Sequence, residues 1–278
     1  LAQRWTSTGG LQQLGAGTVI TASTRIPSGT YELTSADRDH PAIVIRGSNI
    51  TVDFTGVTLL GGRPGADPDT YTGLGVLVDG GENVTIKNLT ARGYKIGVYA
   101  RRSRGLHITG ANFSYNWKRR LHSQVEHESL LDWMSYHHNE KDEWLEQGAG
   151  IYVADSPSVE IDHTTIVQGQ NGLMLVRSDD ARIWNNTFSF LSGIGVGLYR
   201  ASGNTIQHNR IDWCVRGYSH TFYNRGQDSA GILIYEQSNR NIVAFNSVTH
   251  GGDGLFLWAG QSTMDTGRGG ANDNLFYD

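Results

Sequence analysis

A short pattern of apolar and polar positions repeats along the chain. An apolar residue, four others and a second apolar residue recur at Val52/Val57, Ile108/Phe113, Ile161/Ile166, Ile183/Phe188, Ile206/Ile211 and Val243/Val248. Ile86 joins the series with a shorter step, to Leu89 or Thr90. After each motif comes a second run opened by glycine: Gly75-Val76-Leu77-Val78, Gly97-Val98-Tyr99, Gly150-Ile151-Tyr152-Val153, Gly172-Leu173-Met174-Leu175, Gly195 to Tyr199, Gly231 to Tyr235 and Gly254 to Trp258. Asn, Ser and Gly fill the spaces between. The apolar positions alternate with period two and are rich in β-branched residues, which predicts strands rather than helices. The unbroken steps, 86 to 108, 161 to 183 and 183 to 206, are 22, 22 and 23 residues. That is about half the period of a propeller blade. No such unit buries its apolar face alone. Stacked in parallel at ~4.8 Å, successive units pair backbone with backbone and line up their Val, Ile, Leu and Phe as continuous columns.

The pattern resembles the right-handed parallel β-helix family, which includes the copper-accessory NosD-like repeats and many polysaccharide lyases and glycoside hydrolases. The resemblance covers roughly residues 17 to 278. It implies an all-β fold, a right-handed single-stranded parallel β-helix, with the handedness taken from the family. One domain over 1–278 is expected, with residues 1–35 as an N-terminal cap and first coil. The same fold carries many activities, so function must come from the residues that line it.

Three coils are lengthened at one phase, between the first strand and the glycine-led strand: residues 61 to 73, 116 to 148 and 212 to 229. A fourth excursion, 259 to 272, follows the second strand. Insertions at one phase project from one flank of a solenoid and wall in a groove there. Three rungs at the strand spacing span about 14 Å, room for two or three sugar rings. The insertion 116–148 reads as a helical lid. Ser129 with Asp132 makes a capping-box variant, and Asn139 can cap a further turn that starts with Glu140, Asp142 and Glu143.

Composition narrows the chemistry. Glycine supplies 36 of 278 residues with only 5 prolines, which fits many tight turns and excludes collagen. The net charge of -4 offers no nucleic-acid footprint. No apolar run reaches the ~20 residues of a membrane span. Cys214 is the one cysteine, so an internal disulfide and a multi-cysteine metal site are excluded. His137 and His138 point about 100° apart on a helix and lack a zinc register. The NosD-like resemblance implies copper, yet three methionines and one cysteine are few soft ligands. No metal site is therefore expected. The triplets at Asn49, Asn83, Asn88, Asn112 and Asn185-Asn186-Thr187 read as turn chemistry of the repeat rather than glycosylation signals. The chain opens Leu1-Ala2-Gln3-Arg4 without a signal peptide, which suits a processed protein that is secreted or periplasmic. Its last strand-like run, Asn274 to Asp278, reads as an unfinished coil whose open edge could serve a homo-oligomer.

The candidate chemistry concentrates on the inserted flank. Asp228 and Asp253 precede Gly231 and Gly254 in neighbouring coils; two carboxylates one strand apart can divide acid and base roles. Lid acids Glu140 and Glu143 are further candidates, and His220 and His250 are candidate proton carriers. Arg216, Tyr218, Tyr223, Arg225, Gln227, Gln168, Asn171, Lys141, Trp133 and Trp144 combine rings with planar polar groups, a mixture suited to carbohydrate. The first expectation is a glycoside hydrolase that cleaves a polysaccharide or oligosaccharide with a carboxylate pair. The second is a polysaccharide lyase acting by β-elimination on a uronate-containing glycan, using His220, Tyr223 and Arg225 and, in that case, calcium. The third is a non-catalytic NosD-like binding or metal-delivery solenoid. No other cofactor is expected.

Overall fold

The computed structural model describes residues 13–123, 127, 129–132, 134, 138–215 and 229–278. Each turn of the chain contributes a strand to a first sheet, then to a second, then to a third, and climbs one rung. The first sheet has nine parallel strands in chain order: Thr18–Ile20, Ile43–Ile45, Thr72–Asp79, Tyr94–Arg101, Ala149–Ala154, Leu173–Val176, Ile194–Tyr199, Ala230–Tyr235 and Asp253–Trp258. The second also has nine, from Thr24–Arg25 to Leu275–Tyr277. The third is shorter and partly built of single bridges, such as Thr90 to Asn112 and Asn112 to Thr165.

The repeated apolar residues become columns. Val52 pairs with Ile86, then Ile108, Ile161, Ile183, Ile206, Val243 and Phe276 follow in register up the second sheet. From Val52 to Val243 the column is buried. Each such side chain contributes roughly 1.5–3 kcal/mol when fully buried. The glycines that open the first-sheet strands form a column of their own. A Cβ at Gly97 would lie 2.6 Å from the Gly150 carbonyl oxygen, and one at Gly172 2.4 Å from that of Gly195. Close approach of successive rungs therefore requires glycine there.

The corners are held by side-chain ladders. The Asn204 amide donates to Asn241 Oδ1 and the Asn241 amide to Asn274 Oδ1, both at 2.9 Å. Asn186, Asn209 and Asn246 repeat the device. Asn49, Asn83, Asn88 and Asn185 adopt left-handed backbone at corners, and Asn83 donates to Asn49 at 2.9 Å. The triplets of the sequence are thus parts of the repeat.

The excursions at 61–73, 116–148 and 212–229 all join the third sheet to the first, so they leave from one corner. A fourth, residues 33–42, leaves from the same corner and was not anticipated. The excursion after Trp258 lies at a different corner and holds a short α-helix, Gln261–Thr266. Helical character in 116–148 is confined, among its described residues, to 3-10 turns at Leu130–Asp132 and Glu143–Gln147. Local polar bonds take the place of a longer helix: the buried Asp132 carboxylate accepts the backbone N–H groups of His122 and Ser123 and the Ser123 hydroxyl. Asn139 is not the N-cap expected: Asp142, in left-handed backbone, holds that position without a side-chain cap bond, and the Asn139 side chain accepts the Trp144 N–H at 2.9 Å from outside the turn.

Candidate functional site

The inserted corner carries one position per rung with left-handed backbone. Backbone hydrogen bonds align Gly93, Tyr115, Gln168, Phe190, Trp213 and His250 as a row along the rod. At its N-terminal end the row forms the floor of a groove of about 430 Å³. Tyr71 and the loop from Gly62 to Pro68 wall one side, and Lys118 enters from the next insertion.

The two insertions are latched together. Arg120 donates to Asp69 at 2.9 Å and to Asp67 at 3.3 Å, and the Trp117 indole N–H reaches the Asp69 carbonyl oxygen at 3.2 Å. Gly62 lies under the Tyr71 ring, where a Cβ would come within 2.5 Å. The groove is therefore shaped by contacts that do not involve its own cations.

Those cations are Arg92 and Lys118. Arg92 sits over the Tyr115 ring at 5.3 Å; its Nε is buried without a hydrogen-bond partner, and no described carboxylate forms an ion pair with it. Lys118 donates to Gln168 Oε1 at 2.5 Å, and burial pulls its amine below the ordinary lysine range. Burial likewise raises the Tyr71 phenol. The groove thus presents a guanidinium, a buried amine, an amide and two phenol rings. Beside the groove, Asp67 and Asp69 pair with Arg120. Among the described residues no group of three or more His, Cys, Asp or Glu could hold a metal ion.

Further up the row, Trp213 stacks on His250 at 4.4 Å and on Phe190 at 6.3 Å. His250 Nδ1 lies 3.0 Å from Thr249 Oγ1. Asp253 is exposed at the start of its strand, and no described cation pairs with it. Its register partner is Ala230, two residues beyond Asp228. The strand-opening glycines Gly231 and Gly254 stand level in this register. Asp228, His220, Arg216, Tyr218, Tyr223, Arg225, Gln227 and Trp133 lie outside the described residues.

The remaining candidates fall elsewhere. Gln168 is in the groove. Asn171, expected to meet substrate, is buried; its amide donates to the carbonyls of Gln147 and Gly148, and its oxygen accepts the Ile194 N–H. It is a corner residue. Glu140, Lys141, Glu143 and Trp144 belong to a strap, residues 138–148, on the outer face of the first sheet. Glu140 pairs with Arg200 at 3.3 Å, and Glu143 accepts the Lys141 N–H at 2.9 Å. Trp144 is only 1% exposed and packs on Tyr199 and Tyr235, so it has no free ring face to offer a sugar. Sequence reasoning missed Arg92, Tyr115, Lys118 and Tyr71. The signal was present in the phase: counting three residues on from the third-sheet bridge position puts Tyr115 and Gln168 in one row, with Arg92 beside it.

Residues 74–266 match the family described as right handed beta helix region. No curated protein matches in sequence. Among solved structures, DFA-IIIase from Arthrobacter chlorophenolicus A6 in complex with GF2 is 13% identical with a TM-score of 0.57, covering 84% of this chain and 57% of that one. A mutant of the periplasmic alginate epimerase AlgG is 12% identical with a TM-score of 0.50, covering 87% and 53%. The chain spans little more than half the length of these structures, and at such identity the likeness is one of fold.

Proposed function

The chain belongs to the right-handed β-helix family, and on that frame we propose that it is a carbohydrate-active enzyme whose corner groove binds a uronate-containing glycan and removes the proton beside the uronate carboxylate. The observation that carries this reading is the pairing of Arg92, without a carboxylate partner among the described residues, with Lys118, whose amine is depressed by burial, in one groove.

Each group has a part. Arg92 meets the substrate carboxylate and neutralises it, which makes the adjacent C–H more acidic. Lys118, in its neutral form, takes that proton while one of its N–H bonds stays on Gln168. In β-elimination the C–H electron pair becomes the new carbon–carbon double bond. The glycosidic oxygen leaves with its bonding pair and takes a proton from water or from the Tyr115 hydroxyl at the rim. Returning a proton to the opposite face would instead give epimerisation, with the same first step. The likeness to the periplasmic alginate epimerase and to DFA-IIIase supports a glycan as substrate and a secreted or periplasmic setting.

The test is turnover of acidic against neutral polysaccharides by the intact chain and by Lys118→Ala. Products with a new conjugated double bond, or with solvent deuterium beside the carboxylate, are expected from acidic substrate alone and are expected to vanish in the variant.

One observation favours hydrolysis as a second reading. Asp253 is exposed on the inserted corner and has no described cation partner. As one member of an acid pair it would cleave without forming a double bond. Loss of activity in Asp253→Asn, with reducing ends as the only new product, would select this reading.

A further inference from the structure

The strap 138–148 carries four acids and one lysine. It lies across the outer face of the first sheet, and three of its acids sit on cations of the rod. Glu140 reaches Arg200 at 3.3 Å, Asp142 reaches Arg177 at 2.9 Å, and Glu146 reaches Lys95 at 2.7 Å. Its one indole is pressed onto an aromatic row that climbs rung by rung. Tyr199 lies 5.7 Å from Tyr235, and Tyr235 lies 5.2 Å from Trp258. Trp144 covers the first two rings of that row. Phe256 and Trp258, at the next rung, are only half-buried.

The fit beneath the strap is incomplete in its polar groups. The Tyr152 hydroxyl lies near Asn139 and the Tyr199 hydroxyl near Glu140. Yet Tyr152 Oη, Tyr199 Oη and Asn139 Nδ2 are buried with no hydrogen-bond partner. Orphaned buried polar groups oppose the closed arrangement. The rod cations, by contrast, keep partners of their own: Arg177 holds Asp155 and Arg200 holds Glu236. The strap acids are a second layer on groups already arranged by the rod.

An acidic segment with one flat ring, seated on cations that also hold rod carboxylates and over phenols that it leaves unsatisfied, behaves as a stand-in for another ligand of that description. We propose that the outer face of the first sheet beneath the strap is a second glycan-binding surface. Its ligand is an acidic oligosaccharide, whose carboxylates would take the places of Glu140 and Asp142 on Arg200 and Arg177. Its rings would lie on Tyr199 and Tyr235, and its hydroxyls would satisfy the Tyr152 and Tyr199 phenols. The strap is its internal competitor. Arg200, Arg177 and Lys95, the cations on which the strap acids sit, favour an acidic glycan over a neutral one. This inference shares with the corner groove only the acidic class of ligand.

The experiment uses the full chain carrying Arg92→Ala in every sample, so that the corner groove does not report. Binding of an oligouronate hexamer and of a neutral hexasaccharide is titrated with and without Glu140→Gln/Asp142→Asn. Removing two partly exposed pairs from the strap raises the open fraction, so oligouronate affinity should tighten by roughly two- to thirtyfold. The neutral sugar should not follow. Amide exchange over residues 143–148 should speed up when oligouronate is added. Tyr199→Phe in the same background removes one phenol that the ligand would satisfy and should weaken binding. Unchanged affinity, equal tightening of the neutral sugar, unchanged or slowed exchange in the strap, or indifference to Tyr199→Phe would each overturn the proposal. Because turnover at the groove is already disabled, failure here leaves the reading of the groove intact, and the reverse holds.

Discussion

The ring of Trp144 lies against that of Tyr199, with centroids 5.3 Å apart and planes inclined at 60°. The strap is anchored by this contact more than by its ion pairs, which are exposed or half-exposed and each hold it weakly. Truncating a buried tryptophan removes about 3–5 kcal/mol of packing. If the strap opens on its own, that loss falls on the strap alone. Trp144→Ala should therefore raise hydrogen exchange at 143–148 steeply while leaving the denaturant midpoint of the rod nearly unchanged. Ile183→Ala, in the middle of the second-sheet column, should instead lower the stability of the rod by about 2–5 kcal/mol, and its midpoint with it.

Lys118 sets a pH dependence. Its pKa is depressed by burial, and in the proposed reaction the neutral amine is the form that takes the proton. Activity on acidic glycan should therefore rise with pH through a value below the ordinary lysine range of ~10.4 and fall off on the acid side. Lys118→Ala should cost about 10²–10⁴-fold in kcat and abolish this limb. Lys118→Arg should keep the charge and still lose the limb. A pH–rate profile of the three proteins checks both statements.

Arg92 separates binding from chemistry. Arg92→Lys retains a cation but loses the planar fork that holds a carboxylate at two points. KM for an acidic glycan should rise about tenfold or more, and binding of neutral glycan should stay the same. A KM that is equally insensitive for both glycans would remove Arg92 from the site.

The rod was legible in the chain because its constraint is periodic. Val52, Ile86, Ile108, Ile161, Ile183, Ile206 and Val243, picked out by spacing alone, are one column in the structure. The strand Ile43–Ile45 escaped notice because Ala42, not glycine, precedes it. The corner from which the insertions leave was legible for the same reason. The site was not. Gln168, Arg92 and Lys118 line one groove, and the two insertions beside it are latched through Arg120, which reaches acids 51 and 53 positions away. Trp144 and Asn171 misled because an aromatic or amide residue on a binding flank has the same sequence signature whether it faces solvent or holds a corner.

Asp79 makes acid sensitivity a readable property of the rod. Arg101 holds its carboxyl below the usual range, against the opposing effect of burial, with Arg102 and Arg46 adding to it. A depressed folded pKa gives stability that is whole above the unfolded value of ~3.9 and is lost as pH falls through the lower folded value. Asp79→Asn should thus be less stable than the natural chain at pH ~7, by about 1–3 kcal/mol. The gap should close as both are acidified below pH ~4. Urea midpoints at neutral and acid pH measure it.

The corner groove is tested most directly by incubating the chain with a polyuronate in deuterated water and following the carbon beside the carboxylate by NMR. The account predicts that this position loses its proton, either to a new double bond or to solvent deuterium, and that Lys118→Ala leaves it untouched. Cleavage to shorter chains that keep the original proton, or proton loss that persists undiminished in Lys118→Ala, would contradict it.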